Sequence, residues 1–93
     1  VTRDEVKDPQ NLNLWLELNG NKVQDGNTNT MIHKVFFTLS YLSQFMSLQP
    51  GDVISTGTPP GVGSGMNPPL YLKSGDSMRL GIEGLGEQSQ KVV

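Results

Sequence analysis

Three hydroxyl side chains, Ser55, Thr56 and Thr58, follow a short β-branched pair, Val53-Ile54, and stand before a glycine- and proline-rich run from Gly57 to Pro69. A buried strand ending this way would aim a hydroxyl from a rigid support, while the adjoining glycines let a ligand approach the backbone. The chemistry on offer is hydrogen bonding to an anion. Flanked by Gly57 and Pro59-Pro60, Thr58 can hold a carboxylate with its hydroxyl and nearby amides, or it can simply close a strand with its β-branched side chain. Residue types alone leave both readings open.

The other candidates point to structure. A metal centre needs carboxylates or imidazoles converging at one-residue spacing on a strand or four-residue spacing on a helix, and no such pair occurs. His33, the single histidine, precedes a helical pattern and reads as a capping or surface residue. Asp25, Asp52 and Asp76 each adjoin a glycine, where a carboxylate commonly accepts from turn amides. Glu83, opposite the apolar face of a strand and followed by glycines, reads as a solvated carboxylate. The glycines from Gly61 to Gly65 lack the Lys-Ser or Lys-Thr of a phosphate loop, and those from Gly81 to Gly86 lack the helix of a dinucleotide fingerprint. No residue is thereby assigned a catalytic or metal-binding role.

The elements that must carry these residues are mostly strands. Leu12, Leu14, Leu16 and Leu18 alternate with Asn13, Trp15, Glu17 and Asn19, the period of a half-buried strand. Asn19-Gly20 then predicts a two-residue hairpin turn that sets Glu17 opposite Lys22, Leu16 opposite Val23 and Trp15 opposite Gln24. Asp25 to Thr28 reads as a second turn, after which Asn29 or Thr30 could cap a helix. Between Lys34 and Leu48, the spacing of Val35, Leu39, Leu42 and Met46 predicts the one long helix. Phe36, Phe37, Tyr41 and Phe45 widen its apolar surface, which is either one broad core face or two faces, the second covered by further chain or a partner. Pro50-Gly51-Asp52 turns the chain into the Val53-Ile54 strand. Leu70 to Leu72 suggests a short strand, and Met78, Leu80 and Ile82 mark another. Glu87 to Val93 would return antiparallel to it through Gly84-Leu85-Gly86, and the polar residues 1 to 11 would form a strand edge and a loop. The fold class expected is mainly β with one helix (α+β), in a single domain.

Composition narrows the partners. With 7 basic and 9 acidic residues the net charge is -2, and no basic block is present to neutralise a phosphate backbone, so nucleic acid is not an expected partner. Cysteine is absent, which excludes disulfides and thiolate chemistry. Alanine is absent too, and eleven glycines and six prolines disfavour a helical bundle. No window approaches the roughly 18 apolar residues of a membrane span, so a soluble, cytoplasmic protein is expected.

Five stretches in order, Trp15 to Gly20, Gln24 to Thr28, Tyr41 to Met46, Pro50 to Gly63 and Gly81 to Gly86, resemble the fumarylacetoacetate hydrolase family, the block from Gly51 to Gly63 most specifically. The resemblance implies a mixed β-sandwich roll and a homodimeric enzyme. Its Mg2+ or Mn2+ would be held by a Glu-x-Glu pair and a later aspartate, with a lysine and a mobile His and Glu element nearby, all upstream of the segment resembled here. Residues 1–93 would then be the C-terminal portion of one catalytic domain without its metal-binding portion, and inactive alone. Glu17-Leu18-Asn19 is not the ligand pair, because its third position is asparagine. His33-Lys34 and Phe36-Phe37-Thr38 depart from the smaller and acidic residues of the family helix.

The implied reaction is hydrolysis of a carbon-carbon bond in an acylpyruvate-type 2-oxo acid, with Thr58 as the substrate-binding residue. Isomerase, decarboxylase and lyase chemistries on related 2-oxo acids share the scaffold. A non-catalytic scaffold or dimerisation module is the alternative from another class.

Overall fold

In the computed structural model, which describes residues 1–93, four strands form one antiparallel sheet. They are β1 (Asn13–Leu18), β2 (Asn21–Asn27), β3 (Ser77–Ile82) and β4 (Gly86–Lys91), in the order β2-β1-β3-β4. The connection from β2 to β3 carries the single α-helix, α1 (Val35–Ser43), and a long loop. The chain is mainly β with one helix.

The β1–β2 hairpin closes through Asn19 and Gly20, both at positive φ (50° and 81°), the backbone that matches the twist of the flanking strands. Asn19 also ties the turn to β3. Its Nδ2 donates to Asp76 Oδ1 at 2.9 Å, and its Oδ1 accepts from the Ser77 amide at 2.9 Å.

Glu17 faces Lys22 as the hairpin pattern predicts, but the rest of the register slips by one. Leu16 pairs with Gln24 and Trp15 with Asp25, because Val23 is an extra residue that bulges out between Leu16 and Glu17. A bulge sets two residues of one strand against one of the other and re-aims their side chains. Val23 and Gln24 accordingly both reach the apolar face.

That face is built by cross-strand pairs Leu14–Ile82, Leu16–Leu80 and Leu18–Met78. On the opposite face Trp15 lies over Gly81, where a Cβ would come 3.0 Å from the indole, so glycine is what lets the ring lie flat. Arg79 covers the indole at 5.1 Å and pairs with Glu87 (2.6 Å) and Glu17 (3.8 Å). Only Leu18 and Gly81 are buried, and Leu18 still keeps 9 % exposure. The radius of gyration, 15.5 Å, exceeds the roughly 12 Å of a compact chain this long, consistent with a core open on the loop side.

Several expected elements take another form. Val53-Ile54 is not a strand: no strand of this chain runs alongside it to supply a hydrogen-bonding ladder, and Val53 is 94 % exposed. Leu70 to Leu72 is also irregular, the Leu70 amide donating to Gly63 O at 2.9 Å so that the loop folds on itself. Residues 1 to 11 form turns with no strand. Asp25 lies within β2, because the ladder continues to Asn27 before a 3-10 turn at Thr28–Thr30.

The helix is shorter than its apolar pattern, ending at Ser43. Neither Asn29 nor Thr30 caps it. Gln10 Oε1 accepts from the Val35 amide at 2.8 Å while Gln10 Nε2 donates to Thr28 O and to Met31 Sδ. A long side chain from a distant turn thus supplies the oxygen that the local sequence does not. His33, Phe37 and Tyr41 stack in succession and Phe45 meets Tyr41 at a tilt of 55°, with Phe37 56 % and Phe45 69 % exposed.

Candidate functional site

The hydroxyl loop is held to β2 at three neighbouring points. Gln24 Nε2 donates to Thr58 Oγ1 at 3.0 Å and to Pro59 O at 2.9 Å. Gly26 brings its backbone against the Pro59 ring, where a Cβ would lie 3.0 Å from Pro59 Cβ. Gly61, at φ 106°, passes so close to Val23 that a Cβ would sit 2.0 Å from the carbonyl oxygen. Only glycine meets both demands at position 61. Thr58 therefore keeps a fixed support although no sheet hydrogen bonds run through its own segment.

Beneath this loop lies an apolar cavity of ≈ 220 Å³, lined among others by Leu16, Leu18, Val23, Val62, Met66 and Met78. Thr58 itself is exposed and stands beside this cavity, outside its lining. Polar chemistry and apolar surface meet at Gln24, which belongs to both.

The other candidates are occupied elsewhere. Asp52 Oδ2 accepts from the Gln49 amide at 2.8 Å, closing the turn expected of it. Asp76 Oδ2 accepts from the Lys73 amide at 2.8 Å, and the Asn19 amide group, then this backbone bond, hold its carboxyl below the usual value. Asp25 faces Lys22 at 3.5 Å. Glu83 Oε2, just beyond β3, accepts from Asn13 N (3.2 Å) and Asn13 Nδ2 (3.0 Å), so it pins the end of β1 and is more than a solvated carboxylate. His33 is exposed and stacks on Phe37 at 5.5 Å.

No three of the histidine and carboxylate side chains converge as a metal centre would require. Gln24 is the residue that sequence reasoning passes over, since an unbulged hairpin places it opposite Trp15. The signal becomes visible only with the observed register, as a polar side chain opposite Leu16 on an otherwise apolar face.

The family described as "Fumarylacetoacetate (FAA) hydrolase C-terminal" matches residues 1–93. A Burkholderia multivorans protein described as a hydrolase is 65 % identical over 91 residues, covering 97 % of this chain and 32 % of the relative. Fumarylacetoacetate hydrolase from the psychrophilic Exiguobacterium antarcticum superposes with a TM-score of 0.94 at 43 % identity, over 99 % of this chain and 33 % of that one. Maleylpyruvate hydrolase from Sphingobium sp. SYK-6, in complex with manganese(II) and pyruvate, gives a TM-score of 0.86 at 38 % identity, over 100 % of this chain and 33 % of that one. The chain thus spans about a third of the length of the relatives it matches. In sequence and in the course of its backbone, the chain belongs to the fumarylacetoacetate hydrolase family.

Proposed function

We propose that residues 1–93 are the C-terminal portion of a metal-dependent hydrolase that cleaves a carbon-carbon bond in acylpyruvate-type 2-oxo acids, with Thr58 binding the carboxylate or carbonyl end of the substrate. The observation that carries this reading is the support of Thr58. Its hydroxyl is exposed, yet it is held in place by a neighbouring strand instead of being spent on its own backbone. A hydroxyl so placed donates to an anion without first having to be ordered.

The similarity to a maleylpyruvate hydrolase complexed with manganese and pyruvate supports a 2-oxo acid as the ligand class. The metal, Mg2+ or Mn2+, would be held by residues outside this chain, since none of its carboxylates forms a cluster. The 93-residue chain alone is then inactive. A homodimer working in the cytoplasm completes the proposal. The exposed rings of α1, which a second chain could cover, support the dimer, and no helix is long and apolar enough to cross a membrane.

The test is an assay of the complete protein with Mn2+ on acylpyruvates, following pyruvate release. Pyruvate formation that depends on the metal and is lost on chelation is the expected result. Failure to cleave any acylpyruvate, with isomerisation or decarboxylation of a 2-oxo acid instead, would overturn the hydrolase assignment.

A further inference from the structure

The amide group of Gln24 can be oriented without ambiguity. Pro59 O can only accept a hydrogen bond, so the end of the Gln24 side chain that lies 2.9 Å from it must be the NH2 group. The same nitrogen lies 3.0 Å from Thr58 Oγ1. An amide NH2 only donates, so Thr58 Oγ1 is the acceptor in that bond. The hydroxyl proton of Thr58 must then point away from Gln24.

From this we infer that Gln24 is a positioning residue for the reaction: by donating to Thr58 Oγ1 it occupies an acceptor site of that oxygen and turns the O–H outward, towards the anionic end of the substrate. The inference rests on the placement of Thr58 proposed above. The bulge at Val23 is what makes it possible, since it sets Gln24 on the face of β2 that the loop crosses. A hydroxyl whose direction is already fixed contributes more to binding than one that rotates freely. The proton also meets a negative charge, the stronger kind of hydrogen bond.

Glutamate at position 24 has nearly the same shape and the opposite polarity. Ionised, it accepts from Thr58 and draws the hydroxyl proton inward; protonated, it regains one O–H donor. The experiment is a titration of the complete, Mn2+-saturated protein with pyruvate at several pH values, for wild type, Thr58→Val, Gln24→Ala, Gln24→Glu and the Gln24→Ala/Thr58→Val pair.

Each single variant is expected to weaken pyruvate binding about tenfold at pH 8, as for loss of one hydrogen bond to a charged group. Gln24→Ala should add little once Thr58 is valine, because the two act through one hydroxyl. The deficit of Gln24→Glu should narrow as the pH falls and its carboxyl takes up a proton, a change that mere space-filling by residue 24 would not produce. Wild-type affinity in Gln24→Glu at pH 8, alongside weakened binding in Thr58→Val, overturns the role of Gln24 and leaves Thr58 in the site. Wild-type affinity in Thr58→Val removes both residues together.

Discussion

Gln24 Nε2 and Thr58 Oγ1 meet at 3.0 Å although 34 residues separate them in the chain. Between them run the end of β2, α1 and the stretch from Gln44 to Gly57, so the contact exists only because β2 bulges at Val23 and the loop returns across it. It joins a strand that folds locally to a segment that has no sheet of its own.

Thr58→Val keeps the shape of the side chain and removes its hydroxyl. In the complete protein, transition-state or product binding should weaken by about 1 to 3 kcal/mol if a buried charged group loses its donor. Steady-state kinetics on an acylpyruvate check this, and unchanged kcat/KM would take Thr58 out of the site.

Gly61→Ala places a methyl against the Val23 carbonyl and forces a non-glycine residue to φ 106°. The backbone alone should cost about 1 to 3 kcal/mol, with displacement of the loop added. Gly57→Ala is the control, because its φ of 90° carries strain but nothing lies within 4 Å of the added carbon. Limited proteolysis between residues 57 and 66 should accelerate in Gly61→Ala more than in Gly57→Ala.

Gln10→Ala leaves the Val35 amide at the start of α1 without its acceptor. A loss of about 0.5 to 1.5 kcal/mol is expected from the urea midpoint. Hydrogen exchange should quicken in the first turn of α1 before it changes in β1. Equal acceleration in both would mean that Gln10 supports the whole chain and not the helix end.

Asp76 gives stability a dependence on pH. Its carboxyl is held below the ordinary value of 3.8, first by Asn19 Nδ2 and then by the Lys73 amide. A folded-state value below the unfolded one stabilises above the unfolded value and loses that contribution as the pH falls through the folded one. Asp76→Asn should therefore be less stable than wild type at neutral pH, and the gap should shrink below pH 3.8. Denaturation midpoints across that range measure it, and a gap independent of pH would rule out the carboxylate as its source.

The elements whose partners lie close along the chain are legible from residue order alone. Alternation of Leu14, Leu16 and Leu18 fixed β1, Asn19-Gly20 fixed the hairpin turn, and Met78, Leu80 and Ile82 fixed β3, because the two-residue period and the positive-φ turn are local properties. The Gly51–Gly63 block carried the family resemblance and Thr58 with it. What those pieces hold depends on contacts between distant segments. The bulge at Val23 sets Gln24 against Leu16, whereas Asn19-Gly20 alone predicts an unbulged hairpin in which Gln24 faces Trp15. Val53-Ile54 has the composition of a strand, but a ladder needs a second backbone, and no strand of this chain supplies one. Gln10 caps α1 from a separate turn, a long-range bond that no pattern around Lys34 encodes.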